Sequence, residues 1–275
     1  MSGKLSISKA WDEAKERIAS DGRLFVIVAL ALIALPQAIV TTVGPPAELS
    51  GTAPSGFATF LALIAFLIGI AGQIAIVRLA LGPTSVGEAI SHGFRRLGWT
   101  LLAFIILLVG ATLLSMPFVM LVGAEQLQLI AAGGKPDPSA LGYLLLFMVG
   151  VLLVTVRFQM VIPVTTAESV GPIAILTRSW RLTGGQYWKF LGFLLAVLLV
   201  AFLLLIVPAL VAGLFVQFLF GDVSPMSVGA MVFGLVAGLF QAIFGIGAFV
   251  TLARIYAQLT GEDQALEPSV PSSGT

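Results

Sequence analysis

Six stretches of this chain are almost uninterrupted hydrocarbon: residues 24–43, 57–81, 97–123, 141–164, 189–220 and 227–259. Each meets the requirement of about 20 apolar residues for an α-helix to cross about 30 Å of lipid. The last two are long enough to tilt or to project beyond the bilayer. Charges are missing from the first and third runs and lie near an end in the others, at Arg78, Arg157, Lys189 and Arg254. The runs are continuous and do not alternate with period two, so membrane-spanning strands are a poor reading. Only 10% of the 275 residues are charged, against roughly 25% in soluble domains. The expected fold is therefore all-α, with six transmembrane helices. The first run is a full span behind a charged leader of 23 residues, and it reads as a retained helix and not a cleavable signal.

Orientation follows from the basic residues. Thirteen of the fourteen lie in residues 1–23, 78–96, 157–189 and 254–275, and only Lys135 lies on the other side. The opposite loops, 44–56, 124–140 and 221–226, are short, rich in Pro and Gly, and carry Glu48, Glu125, Asp137 and Asp222. This bias puts both termini in the cytoplasm. Trp11, Trp99, Trp180 and Trp188 fall on the same face, as interfacial anchors do. The resulting division is a cytoplasmic amphipathic segment at 1–23, a six-span domain at 24–259 and a disordered polar tail at 260–275.

A unit of about 85 residues recurs three times. Each has an amphipathic stretch, an outward span with a proline (Pro36, Pro117 or Pro208) and a return span with one arginine near its end (Arg78, Arg157 or Arg254). In the second amphipathic stretch, Val86, Ile90, Phe94 and Leu97 follow helical spacing, Ser85 and Glu88 are placed as a capping box, and His92, Arg95 and Arg96 take the other face. In the third, Ile173, Leu176 and Trp180 form the apolar face that Arg178 and Arg181 leave; in the first, Trp11, Ala14 and Ile18 do so. Helices of this kind lie in the headgroup plane, either as simple connectors or as binders of anionic lipid. An even number of spans per unit makes the repeats parallel and predicts a pseudo-threefold bundle about the membrane normal.

Few residues carry chemistry. Arg157 is placed about 10 Å inside its span by helical rise, because the apolar run continues beyond it to Val164. It is a functional charge, or it snorkels, or it pairs with Glu168. Glu168, close to Thr165 and Ser169, suits a helix N-terminal role. Gln37, Gln73, Gln159, Gln217 and Gln241 suit interhelical hydrogen bonds, and Gly234 with Gly238 suits close helix packing. His92, the only histidine, reads as solvated. The chain has no cysteine, and no catalytic constellation, metal cluster or phosphate loop is visible. An enzyme, a cofactor and a nucleic-acid partner are therefore not expected, while protein partners and oligomeric state are not legible.

Residues 167–172 (Ala-Glu-Ser-Val-Gly-Pro), 178–183 (Arg-Ser-Trp-Arg-Leu-Thr), Gly185 and Trp188 together resemble a membrane-domain family. It is the family named for its fusion to glycerophosphoryl diester phosphodiesterases, together with related six-span bacterial membrane proteins. Residues 84–97 give a weaker echo of the motif. The resemblance implies a bacterial inner-membrane protein in lipid or envelope physiology. It does not imply hydrolysis, since the phosphodiesterase domain of such fusions is separate and has no room here. The function expected is non-catalytic, with membrane lipid as partner and Arg157, Glu168, Arg178, Trp180, Arg181, Arg95 and Arg96 as candidate binding residues. The alternative is a transporter or channel whose path runs beside helix breaks at Pro36, Pro117 and Pro208.

Overall fold

The computed structural model describes residues 5–46, 50, 55–221 and 223–261, so the expected tail after Gly261 and the residues Glu48 and Asp222 lie outside it. Among the described residues the fold is all-helical, with no strands. Nine helices appear among them: α1 (Ile7–Val43), α2 (Gly56–Leu81), α3 (Val86–Val122), α4 (Ala124–Ala131), α5 (Pro138–Arg157), α6 (Val161–Ala167), α7 (Pro172–Gly184), α8 (Tyr187–Phe220) and α9 (Val228–Thr260). Six of the helical stretches are long and apolar enough to span a bilayer, α5 and α6 together making the fourth. The chain is a multi-pass membrane protein.

The interfacial stretches differ from one another in a way the apolar pattern did not reveal. The first two run directly into their spans. In α1 the junction is a kink at Asp21, the one residue of that helix segment with non-helical backbone angles. In α3 there is no break at all, and the Ser85–Glu88 capping box starts the helix as its spacing requires. Only the third stretch, α7, stands as a separate helix. The fourth span also departs from expectation. Its apolar run is continuous, yet the helix stops at Arg157, turns through residues 158–160 and resumes as the buried α6. The loop at 124–140 contains α4, whose first turn is tied to the start of α5 by Gln126 and Asp137.

Two of the three outward spans carry a π-turn immediately before proline. Residues Leu30–Ala34 and Phe202–Ile206 are π-helical, and each segment begins six residues ahead of Pro36 or Pro208. Proline has no N–H and its ring strikes the carbonyl four residues back. Widening the turn relieves that clash and keeps the remaining carbonyls bonded within the helix, as lipid demands. Pro117 is handled differently, inside a continuous α-helix close to its end.

α1, α2 and α9 form the inner part of the bundle, and α3, α5 and α8 flank it. A central cluster joins Phe25, Val28 and Ile33 of α1 to Ile70, Ile74 and Val77 of α2 and to Ile246 and Val250 of α9. The flanking spans present apolar surface outward, with Met120 81% and Phe218 85% exposed, as suits helices that face lipid. Inside hydrocarbon, burial brings little hydrophobic gain, so close backbone approach and van der Waals contact have to hold the helices together. Gly234 and Gly238 of α9 supply that approach: a Cβ on them would stand 2.8 Å and 2.6 Å from the carbonyl oxygens of Ala38 and Ala34. On the other side of α1, a Cβ on Gly72 would lie 2.9 Å from the Cβ of Leu32.

Gly238→Val therefore forces α9 away from α1 and is expected to cost about 1–3 kcal/mol, the range for an overpacked core. Gly110→Val, where a Cβ would meet no atom within 4 Å, serves as the control and should be near neutral. Thermal unfolding of the two variants in one detergent checks the difference.

Candidate functional site

The residues of the three amphipathic stretches lie near the start of α1 and the end of α9, which meet where the backbone N–H of Ser6 donates to Oε1 of Gln258 at 3.2 Å; this end of the bundle is the basic face. Three features on this face hold the residues singled out from sequence. They share no common pocket.

The first is a cleft of about 370 Å³ lined by His92, Arg95, Arg96, Trp99 and Ser169. The helical register of α3 presents His92, Arg95, Arg96 and Trp99 together, and the segment between α6 and α7 closes the cleft with Ser169. The Arg96 guanidinium donates to the Ser169 hydroxyl. No carboxylate pairs with Arg95 or Arg96 among the described residues. His92 is not simply solvated. Its Nε2 lies 2.9 Å from the carbonyl oxygen of Thr166, and the charges of Arg78, Arg95 and Arg96 bear on it. The ring thus ties α3 to the C-terminal end of α6. Residue spacing carries no sign of this tie, because the partner is a backbone carbonyl seventy-four residues away.

The second feature surrounds Arg157. The residue sits in the last turn of α5, where a cation opposes the negative end of the helix dipole. Its guanidinium carbon lies 4.8 Å from the ring centre of Trp180 and 4.9 Å from that of Tyr187, within cation–π distance of both. It does not pair with Glu168. The carbonyl of Arg157, freed where the helix breaks, accepts from the hydroxyls of Ser179 at 2.8 Å and Thr183 at 3.4 Å. The side of α7 that packs inward is therefore Ile175, Ser179 and Thr183. Ile173 and Trp180, read as its apolar face, are exposed, as suits contact with surrounding lipid. Inward Ser and Thr were the signal here, small hydroxyl residues spaced four apart opposite a helix break. Arg181 is exposed on the same helix.

The third is a carboxylate junction. Oε1 of Glu168 accepts from Nε of Arg178 at 3.0 Å and from the Tyr256 hydroxyl at 2.8 Å, binding α7 to α9. Glu168 does not cap α7, whose N-cap is Gly171 with no side-chain bond. A parallel junction joins Glu13 of α1 to Arg254 at 3.1 Å and Gln258 at 3.4 Å.

The prolines occupy unlike surroundings: Pro36 is buried, Pro208 is half-buried and Pro117 is exposed on an outer helix. They do not ring a shared cavity. Of the intramembrane glutamines, Gln159 bonds across helices, to the carbonyl of Phe190 at 3.3 Å, whereas Gln37 bonds along its own helix to Thr41.

No family model, curated protein or solved structure matches the chain, so the resemblance read from residues 167–188 rests on those residues alone.

Glu168→Ala removes the acceptor shared by α7 and α9 and leaves a half-buried arginine without its carboxylate. A loss of about 1–3 kcal/mol is expected, the magnitude for a hydrogen bond to a charged group in a partly buried site. Unfolding in detergent measures it, and Arg181→Ala, on the exposed side of α7, should be close to neutral.

Proposed function

We propose that this chain is a non-catalytic protein of the bacterial cytoplasmic membrane that binds anionic lipid headgroups at its cytoplasmic face. The observation that carries the reading is the cleft of His92, Arg95, Arg96, Trp99 and Ser169, which offers two arginines with no carboxylate partner among the described residues. Arginine presents a planar fork of donors suited to phosphate oxygens, and hydrogen bonds between charged groups are about twice as strong as neutral ones. Trp99 is exposed beside the arginines, as an interfacial indole anchored at headgroup depth would be. The Ser169 hydroxyl adds a neutral donor.

The cytoplasmic assignment is supported by the charge bias of the loops, thirteen of fourteen basic residues against one. Both termini then face the cytoplasm, and the cleft opens toward the leaflet where anionic lipid attracts basic groups. A place in envelope or lipid homeostasis accords with the family resemblance of residues 167–188. The separate surroundings of the three prolines favour lipid binding over a transport path between them.

Native mass spectrometry of the protein in mild detergent, titrated with phosphatidylglycerol or phosphatidylcholine, tests the reading. Wild type should retain phosphatidylglycerol preferentially. Arg95→Glu with Arg96→Glu should lower that preference at least about tenfold, since each charge-assisted bond lost is worth about 1.5–3 kcal/mol. Equal retention of the two lipids by wild type, or a preference untouched by the double substitution, defeats the proposal.

A further inference from the structure

A second cavity lies at the other side of the bundle and is unlike the first in every chemical respect. It is a groove of about 560 Å³ between α1, α8 and α9. Ile7 and Trp11 of the amphipathic start of α1 roof it at the basic face, one wall runs from Phe193 to Leu204 on α8, and the other from Ile243 to Thr251 on α9. The only hydroxyl in the lining is that of Thr251, and it already donates to the carbonyl of Gly247 at 2.7 Å. Apart from the indole N–H of Trp11 at its shallow end, the side chains of the groove offer a ligand nothing to hydrogen-bond. Its occupant must be hydrocarbon.

We propose that this groove holds one acyl chain of a membrane lipid from the leaflet at the basic face. Its length fits that occupant. From Phe193 to Leu204 the helix rises about 16 Å at about 1.5 Å per residue, which is about half of a hydrocarbon layer about 30 Å thick. The groove therefore covers one leaflet, with its shallow end beside Trp11, half-exposed where a headgroup would lie. Its width comes from small residues on α9. At Gly247 an added Cβ would meet no atom within 4 Å, so the space there is open and not merely loosely packed.

The roof is held by polar contacts that a bound chain would not disturb. Glu13 grips Arg254, the Lys189 ammonium donates to the carbonyl of Leu5 at 2.6 Å, and the backbone N–H of Leu5 donates to Gln186 at 3.1 Å. The protein's own C-terminal residues are chemically unsuited to the groove. Residues 262–275 contain three carboxylates and two prolines, with Leu266 and Val270 as their only large apolar side chains.

This site is independent of the basic cleft, and a zwitterionic probe keeps the two apart. The protein is reconstituted with phosphatidylcholine bearing a diazirine on a palmitoyl chain, washed into detergent to strip loosely held lipid, irradiated and mapped by peptide mass spectrometry. Adducts are expected on groove residues of 193–204 and 243–251 and not on the outward-facing Leu199 and Leu210. Gly247→Phe and, separately, Ala248→Phe should each cut groove adducts by about tenfold, the ratio for losing roughly one side chain's worth of apolar contact. Arg95→Glu with Arg96→Glu should leave them unchanged. Wild-type adducts spread evenly over groove and outward residues overturn the proposal without recourse to any variant. Adducts that persist in both filled variants overturn it as well, and so does a dimer whose contact covers the groove in place of lipid.

Discussion

The position of α1 between α2 and α9 is the constraint on which the rest of the bundle depends. In water, a helix with apolar sides would be driven into place by burial. In lipid that drive nearly vanishes, and what remains is how closely two backbones can approach. Gly72 on one side of α1 and Gly234 and Gly238 on the other allow that approach at Leu32, Ala34 and Ala38, the stretch that includes the π-turn and Pro36. A proline inside a tightly packed helix would ordinarily push its neighbours away. Here the widened turn takes up the distortion within α1, and the neighbouring glycines fit against the surface that results.

The same local solution recurs in α8, where a π-turn again begins six residues before proline, yet α8 lies at the outside. The recurrence supports the repeat as a feature of local structure. The bundle built from it is not evenly threefold, because the first unit and the return span of the third supply most of the inner helices. The contacts between units nevertheless follow the order the repeat implies. Each return span carries its arginine toward the amphipathic stretch of the next unit. The charge of Arg78 bears on Glu88 and His92 at the start of α3. Arg157 lies against Trp180 of α7, and Arg254 pairs with Glu13 of α1. The last of these contacts joins α9 back to α1.

Length and apolarity made the six spans legible, because a bilayer sets a minimum run that composition either meets or fails. The capping box at Ser85 and the Gly234–Gly238 contact were legible for a similar reason: each is fixed by local spacing. What could not be read was any feature whose partner is distant in sequence or belongs to the backbone. The break after Arg157 falls within a continuous apolar run. It is stabilised by Ser179 and Thr183, hydroxyls that hydropathy counts as weakly polar and leaves unplaced. The same limit misassigned Glu168, whose partners, Arg178 and Tyr256, sit ten and eighty-eight residues away. It also misplaced the inner face of α7. An interfacial helix between protein and lipid has two apolar environments, and the pattern of large apolar residues marked the lipid side.

The three arginines of the repeat show how one sequence landmark can serve three different ends. Arg254 and its carboxylate are each less than a fifth exposed, so the pair acts as a staple. Such a pair contributes more to fixing one arrangement of α1 on α9 than to net stability, because desolvation offsets much of the attraction. Arg157 has no carboxylate within salt-bridge distance among the described residues and is held by two aromatic faces, an arrangement that keeps its charge while tolerating a low-dielectric setting. Arg78 is exposed beside the basic cleft, where its charge adds to those of Arg95 and Arg96. Among the described residues, neutralisation of these three arginines by a protein carboxylate is most complete at the junction of the third unit with the first, where Arg254 meets Glu13. On the proposed reading, the cleft of Arg95 and Arg96, which have no carboxylate partner among the described residues, takes its counter-charge from a lipid headgroup.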